Sequence, residues 1–582
     1  MRSRLYLATF LTLILTACQN LKSRTIPENF LPQDPYIQVY FNHTQSSEYT
    51  EPYRHQTRDG DDLEKQIIDA ISEAKSSVDV AVQELRLPKI AQSLVERQKA
   101  GVKVRVILEN TYTRPWSKLS TAEINILPQR ERQRYTEFLQ LVDRNKDDQL
   151  DQNEINQSDA LIILRQAKVP LIDDTADGSA GSNLMHHKFI IIDGRTSIVT
   201  SANFTTSDIH GDFTNLQSRG NANNLIKITS PQLAALFTHE FNLMWGDGEG
   251  KLADSKFGLK KIYRQPKRVK VGDNTITVQF SPTSPTIPWN KSSNGLIGKF
   301  LNSSNQSVDL ALFDFSEQRL ANILEQDNQK GVQVRALIDP QFAYRPYSEA
   351  LDMMGVNLSS CNTNNNPWQQ PIKTVGIPQL SQGDLLHHKF GIIDQETVIT
   401  GSHNWSQSAN KGNDETLIVI KNYIVAAHYQ REFERLYKTA QLGVPAWLQK
   451  KNKSQKQCPQ IIAGKGGFNR DIYKKHDKIE KTTHIENADL QEDQRRSKGA
   501  YNRNIYVKKD IETAPTQQAI QKVNLNTASL SELESLPGVG NKLAQRIIET
   551  RQQQPFRSLQ DLDKVPGVGD KLLEKLSDRV SW

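Results

Sequence analysis

At 582 residues the chain is too long for one ordinary hydrophobic core, and two to four domains are expected. With 37% hydrophobic and 24% charged residues it has the composition of a soluble, polar protein, which excludes a chain made mainly of membrane spans. The net charge of +7 permits anionic partners without demanding them, and 7% aromatic residues say nothing alone about stacked bases.

The chain opens with Arg2 and Arg4 before an apolar run from Leu5 to Leu15. That run is too short to span a bilayer but suits a signal peptide. It ends in Leu15-Thr16-Ala17-Cys18, which resembles a bacterial lipobox. The resemblance implies a lipoprotein signal peptide over 1–18, lipidation of Cys18 and a membrane partnership through that anchor. The protein would then be an exported lipoprotein of the outer membrane, periplasm or cell surface; Gln19, where an inner-membrane lipoprotein often has Asp, points to the outer membrane. Export leaves two thiols, Cys361 and Cys458, which an oxidising compartment would allow to pair.

The segment from Gln19 to about Gly60 reads as loose, and regular structure is expected to begin there. Leu63, Ile67, Ile68 and Ile71 recur at helical spacing, and Val78-Asp79-Val80-Ala81 reads as a strand. A helix near Lys89–Gln98 stops at Gly101, and Val102–Leu108 alternates like a second strand. The same order returns: Ser307-Val308-Asp309-Leu310-Ala311 and Gly331-Val332-Gln333-Val334-Arg335 repeat the earlier segments at an offset of 331 − 101 = 230. Further on, Gly412-Asn413 repeats Gly220-Asn221 at an offset of 192. This predicts a duplicated α/β domain, with copies over 61–248 and 275–440.

Copy one carries a net 29 extra residues before its central motif, and 9 more between Asn203 and Gly220. The first insertion contains Asp143-Arg144-Asn145-Lys146-Asp147-Asp148-Gln149-Leu150-Asp151-Gln152-Asn153-Glu154. This resembles an EF-hand loop over 143–154, with Asp143, Asn145, Asp147, Gln149, Asp151 and Glu154 as the implied calcium ligands. It departs from that pattern at Asp148, where a Gly normally makes the turn.

The central motif is His186-His187-Lys188-Phe189-Ile190-Ile191-Ile192-Asp193, and it returns as His387-His388-Lys389-Phe390-Gly391-Ile392-Ile393-Asp394. Ten residues after each Asp comes an Asn in a small polar turn, Ser201-Ala202-Asn203 and Ser402-His403-Asn404. Two such patterns at matched spacing resemble the phospholipase D superfamily, whose two motifs build one phosphodiester-cleaving site. The implied fold is α/β: a duplicated phospholipase D-like domain with pseudo-twofold symmetry.

A phosphodiester resists attack because its oxygens are already negative, so a site must neutralise charge, supply a nucleophile and protonate the leaving alcohol. On a strand His186 and Lys188 share a face, as do His387 and Lys389. Joined about a twofold axis, they would place two imidazoles and two ammoniums around one phosphate. Asn203 and Asn404, with Ser201 and Ser402, can add neutral hydrogen bonds to substrate. One His attacks phosphorus and the other protonates the leaving oxygen; the resemblance implies His186 as nucleophile and His387 as acid, which the residues alone leave open. Asp193 and Asp394 have the opposite strand parity from the lysines and are assigned to orienting a His or bridging the halves. Glu415 matches a Glu that the family places behind a catalytic His, and copy one has Asn223 there, so the two halves should be unequal. His187 and His388 face the other way and read as packed histidines. No cofactor is called for in catalysis, because the lysines supply the positive charge.

Residues 450–521 are rich in Lys, Asn, Gln and acidic residues with few apolar anchors, and read as a disordered basic linker. Over 522–582 a second repeat appears: Pro537-Gly538-Val539-Gly540 returns as Pro566-Gly567-Val568-Gly569, each followed by a helical pattern. This resembles tandem helix-hairpin-helix motifs of competence and DNA-uptake proteins, a small all-α domain. It implies sequence-independent DNA binding through Gly538, Gly540, Gly567 and Gly569, where backbone amides reach a phosphate, with Lys542 and Lys571 behind them. The combined reading is a phosphodiesterase acting on DNA. A phospholipase D acting on phospholipid is one alternative and a non-catalytic DNA receptor a second; no obligate protein partner is expected.

Overall fold

The structure is a computed structural model. It describes residues 31–449, apart from 148, 180–182, 249, 251 and 358–364, and a discontinuous set within 523–581. Cys18, Cys361, Cys458 and the linker 450–521 lie outside the described residues. The chain forms two compact units, Met1–Asn502 and Arg503–Trp582. Among the described residues no helix is long and apolar enough to cross a membrane.

The first unit holds two mixed sheets built on one plan. In copy one the strands are β1 (Ile37–Phe41), β2 (Ser77–Val82), β3 (Lys103–Leu108), β4 (Leu171–Asp173), β5 (Lys188–Ile192), β6 (Thr196–Thr200) and β7 (Asn224–Thr229), in spatial order β1-β7-β6-β5-β2-β3-β4. Copy two uses β8 (Lys267–Val271), β9 (Asn274–Ser281), β10 (Ser307–Leu312), β11 (Gln333–Ile338), β12 (Val375–Ile377), β13 (Lys389–Ile393), β14 (Thr397–Gly401), β15 (Glu415–Lys421) and β16 (Gln441–Leu442), in order β8-β9-β15-β14-β13-β10-β11-β12-β16. The parallel pairs β2–β3 and β10–β11 are joined by the helices Pro88–Lys99 and Gln318–Gln329, each closed by a glycine with positive φ, Gly101 at 86° and Gly331 at 97°.

Strand parity decides where each apolar residue goes. On β5, Ile190 and Ile192 pack into a core belonging to copy one, while Phe189 and Ile191 enter a core shared by both copies. On β13, Phe390 and Ile392 enter the same shared core and Ile393 packs with copy two alone. Gly391 replaces the Ile190 of copy one because Trp405 fills that space: a Cβ there would lie 2.9 Å from the indole Cη2. The shared core also contains the helix Pro231–Trp245 of copy one and the helix Tyr423–Tyr437 of copy two. Phe237 stands edge-on between Phe189 of its own copy, at 5.1 Å, and Phe280 of the other, at 5.2 Å.

In the second unit, β17 (Val523–Asn524) pairs in parallel with β18 (Val580–Ser581), bringing the ends of the segment together. Leu536 and Val539, which flank the first Pro-Gly pair, are buried with Leu543, Ile547 and Val565 in one small core. Most of the stabilising apolar area between the copies lies in the shared core, so Phe237→Ala is expected to cost about 3–5 kcal/mol. Chemical denaturation should show that loss as a shift of one transition covering both copies rather than of copy one alone.

Candidate active site

The lysines open strands β5 and β13, and the histidines stand two residues earlier, where the chain leaves its own sheet and meets the other copy. Met185 pairs with Asp414, and Leu386 pairs with Ala222. His186 N donates to Asp414 O at 3.0 Å, and Asp414 N to Leu184 O at 2.9 Å. By the same pattern His387 N donates to Ala222 O at 3.1 Å and Ala222 N to Leu385 O at 2.8 Å. The residue after Asp414 is Glu415, and the residue after Ala222 is Asn223. The bridge that fixes each histidine's main chain therefore also delivers the group behind its ring. Glu415 Oε2 lies 2.7 Å from His186 Nδ1, and Asn223 Oδ1 lies 3.0 Å from His387 Nδ1. With Nδ1 so engaged, Nε2 is the ring nitrogen left for chemistry.

The serines do not face substrate, contrary to the sequence expectation. Ser402 Oγ donates to Glu415 Oε2 at 2.7 Å and accepts from Thr416 N at 3.0 Å. Ser201 Oγ donates to Asn223 Oδ1 at 2.7 Å and accepts from Asn224 N at 3.0 Å. Both are fully buried and aim the group behind a histidine, their hydroxyls having no reach left for a phosphate. Asn203 and Asn404 differ: their side-chain oxygens are buried without a hydrogen-bond partner, and the amides remain as candidate substrate contacts.

Lys188 Nζ donates to Gln83 Oε1 at 3.1 Å and to His186 O at 3.0 Å. Lys389 Nζ donates to His387 O at 2.8 Å and lies 4.9 Å from the centroid of the Phe313 ring, which packs edge-on to His387 at 5.0 Å. Burial pulls Lys188 down to about 8; burial and the charge of Lys188 pull Lys389 down to about 7. Burial and both lysines push His186 and His387 well below the ordinary imidazole range. The resting pocket thus holds neutral rings and weakened cations, and an arriving anion would strengthen every one of those charges. Gln83 and Phe313 were missed in the sequence although they stand at the same offset of 230 as the strands before them, so the repeat register could have found them.

Asp193 and Asp394 require correction. They neither orient a histidine nor bridge the copies. Each lies at the far end of its strand, seven residues from the histidine at about 3.3 Å per residue, in a turn position of positive φ, 53° and 51°. The Asp193 carboxylate accepts the N–H groups of Lys75, Ser76 and Ser77 at 2.7–2.9 Å, and Asp394 those of Asn305, Gln306 and Ser307 over the same range. Partial burial works against ionisation, yet these amides hold both carboxyls below the usual range. Their spacing from the lysine is that of a hairpin, not of a catalytic group. His187 and His388 are fully buried on the shared-core face, at 2.8 Å from Thr416 Oγ1 and 3.0 Å from Glu432 Oε1.

The EF-hand-like loop lies between the helices Gln129–Val142 and Gln152–Ser158. Its oxygens are turned to its own amides: Asp143 Oδ1 accepts Lys146 N at 2.7 Å, Asn145 Oδ1 accepts Asp147 N at 2.9 Å, and Asp147 Oδ1 accepts Gln149 N at 2.9 Å. Glu154 accepts Arg144 N at 2.9 Å and forms a reciprocal cap with Asp151. Asp148 lies outside the described residues. The two insertions of copy one touch, since Glu137 accepts from Thr214 Oγ1 at 2.7 Å. Gly538, Gly540, Gly567, Gly569 and Lys571 also lie outside the described residues; Lys542 falls at the start of the helix Asn541–Gln553, with its side chain outside them.

A family model described as cardiolipin synthase, PLD-like domain, matches residues 67–245 and 297–437, over half of the chain and on both sides of the pocket. The chain belongs to this phospholipase D-like family. It is a phosphodiesterase of that family, with its two copies joined in one chain. A helix-hairpin-helix motif matches residues 518–581. Mitochondrial cardiolipin hydrolase of Mus musculus is 28% identical over 179 residues, covering 30% of this chain and 72% of that protein. The Xenopus laevis protein of the same name is 27% identical over 212 residues, covering 34% and 91%. Among solved structures, phosphatidylserine synthase of Haemophilus influenzae aligns with 73% of this chain and 93% of its own at 12% identity and a TM-score of 0.40. Nuc of Salmonella typhimurium, a phospholipase D family member, aligns with 30% of this chain and all of its own at 19% identity and a TM-score of 0.24.

The corrected place of Asp193 in this phospholipase D-like fold has a direct consequence. Asp193→Ala strips three backbone amides of their acceptor and is expected to lower stability by about 1–3 kcal/mol. The folded fraction should keep the wild-type kcat on bis(p-nitrophenyl) phosphate, whereas an essential catalytic aspartate would lose it.

Proposed function

We propose that this phosphodiesterase cleaves DNA through a phosphohistidine at His186, with His387 as acid and then base. The observation that carries the assignment is the inequality of the two ring partners. His186 Nε2 attacks phosphorus, the bond to the leaving oxygen breaks, and that oxygen takes a proton from His387. The phosphorylated imidazole becomes positive, and Glu415 at its Nδ1 stabilises that charge. His387, backed by a neutral amide, gives up its proton more readily. It then accepts a proton from water, whose oxygen attacks phosphorus and releases His186. Lys188 and Lys389 hold the non-bridging oxygens, and Asn203 and Asn404 donate to them, each such donor commonly worth about 3 kcal/mol of barrier.

DNA is favoured as substrate because the same chain carries the helix-hairpin-helix motif, which suggests nucleic-acid binding. Its glycine turns and Lys542 and Lys571 would hold backbone phosphates without reading sequence. A tethered DNA-holding unit raises the local concentration of substrate at the pocket. With lipidation at Cys18 this becomes a surface-anchored enzyme of extracellular or periplasmic DNA. The second reading is phospholipid cleavage, supported by the cardiolipin hydrolases among the relatives.

The purified chain, offered labelled single- and double-stranded DNA and vesicles of cardiolipin or phosphatidylcholine with EDTA present, should cut DNA. His186→Ala and His387→Ala should each lose that cutting by more than about a thousandfold, the scale of removing a nucleophile or its proton partner. Lipid turnover without DNA cleavage would reverse the substrate assignment, and activity in either histidine variant would remove that histidine from the chemistry.

Calcium at the loop 143–154 is proposed as a brace for the first insertion. Binding would have to draw Glu154 away from the amides of Arg144 and Asn145. Millimolar calcium should raise the Tm of the wild type and not of Glu154→Gln; an unchanged wild-type Tm would discard the site.

A further inference from the structure

The two copies differ at a second position that bears on the unequal histidines. In copy one the turn after Asn203 enters a short helix, Thr206–Ile209, capped by Thr205, whose side chain accepts Asp208 N. Copy two repeats this at Gln407–Lys411, where Ser406 accepts Ala409 N. The same register position is therefore Asp208 in one copy and Ala409 in the other. Where copy two has the carboxylate of Glu415, copy one has the amide of Asn223. One carboxylate is lost at position 223 and one is gained at 208.

Asp208 is only 4% exposed. Its Oδ1 accepts from Asn221 Nδ2 at 2.5 Å and lies 3.7 Å from His387 Nδ1; its Oδ2 accepts from Asn203 N at 2.8 Å. Its main-chain oxygen accepts from Asn223 Nδ2 at 2.8 Å, and Asn221 O accepts from the same amide at 3.1 Å. Two carbonyls thus hold the NH2 end of Asn223, which turns its oxygen to the ring.

We infer that Asp208 is a positioning residue for His387: it supplies, through and beside Asn223, the negative charge that Glu415 supplies directly to His186. Burial, and after it the charges of Lys389, Lys188, His186 and His388, are the largest influences on His387, and all of them oppose its protonation. Asp208 also counters the depression of both lysines, as do Glu415 for both, Glu84 for Lys188 and Asp339 for Lys389. Asp208 brings a carboxylate to 3.7 Å from the His387 ring, and its charge offsets that repulsion when the ring must carry the proton it donates. Placing the charge one shell further out leaves an acid that is supported yet still ready to give its proton.

The inference rests on His387 being the acid, and the test separates the two. D208N is expected to lower kcat on DNA about tenfold with KM within twofold. The alkaline limb of its kcat–pH profile should move to lower pH, because removing a negative charge lowers the pKa of the acid. The loss should be larger with an alkoxide leaving group than in the p-nitrophenol burst from bis(p-nitrophenyl) phosphate, whose leaving group needs little proton help. Moving the carboxylate inward, D208N/N223D should restore both kcat and the limb, while N223D alone should carry the limb to higher pH. A purely structural Asp208 would lower Tm, leave the limb in place and resist rescue by N223D; that outcome overturns the inference. Should D208N fail to fold, N223D against D208N/N223D gives the same comparison of limbs, and coincident limbs there overturn it as well. If His387→Ala retains turnover, the acid assignment itself has failed, whatever Asp208 does.

Discussion

Two short β-bridges between the copies, Met185 with Asp414 and Leu386 with Ala222, are the constraint on which the site depends. Each is made in the residues just before a histidine and just before its ring partner. Backbone hydrogen bonds have fixed reach and direction, so pairing the chains there sets the ring and the group behind it in one step. Neither copy can do this alone, because each contributes one histidine and the partner of the other histidine. The large shared core, with Phe237 against Phe280 and Tyr429 against Phe41, keeps the bridges in register. Fold stability and active-site geometry are thus the same interface.

That interface gathers groups that repel one another. Two lysines and two histidines meet in a buried pocket, and their affinity for protons falls accordingly. Such an arrangement is costly for a resting protein and has to be held by surrounding structure. The scaffold does so with fixed dipoles: the carbonyl of His186 and the amide of Gln83 on Lys188, and the carbonyl of His387 and the ring of Phe313 on Lys389. A phosphodiester brings the missing negative charge, and its recognition is then a relief of repulsion rather than the making of a new pair. The same logic explains why the strand-end aspartates lie far off. The carboxylates that do stand close, Glu415 and Asp208, lie behind the histidine rings at Nδ1, where neither accepts a hydrogen bond from a lysine.

The sequence carried the duplication, the α/β class and the two His-Lys pairs because these depend on local order and on matched offsets, both of which survive in one dimension. It also carried the inequality of Glu415 and Asn223, since the repeat aligns them. It failed at Asp193, Asp394, Ser201 and Ser402, and for one reason. Spacing within a motif does not say which end of a strand meets the other copy, so residues that recur together were assigned together. Asp208 is legible only as a register difference from Ala409, and only the folded turn shows that its carboxylate approaches His387. Gln83 and Phe313 were legible in register but not in chemistry, because an amide and a phenyl ring do not resemble each other until both are seen against a lysine.

The departures from symmetry fall at three repeat offsets. At offset 230 an amide faces Lys188 where a phenyl ring faces Lys389; at offset 192 an amide backs His387 where a carboxylate backs His186; at offset 201 a carboxylate approaches His387 where copy two has a methyl group. A symmetric pocket would bind a phosphodiester equally in either direction, and half of the bound substrate would present its leaving oxygen to the wrong ring. These differences make the two orientations inequivalent, and a bias of about 1.4 kcal/mol would already give ten to one. On the assignment proposed above, the amide of Gln83 stands on the side of the nucleophile and the ring of Phe313 on the side of the acid. Duplication supplies the cavity, and the inequality of its halves is what would give the proposed reaction a single sense.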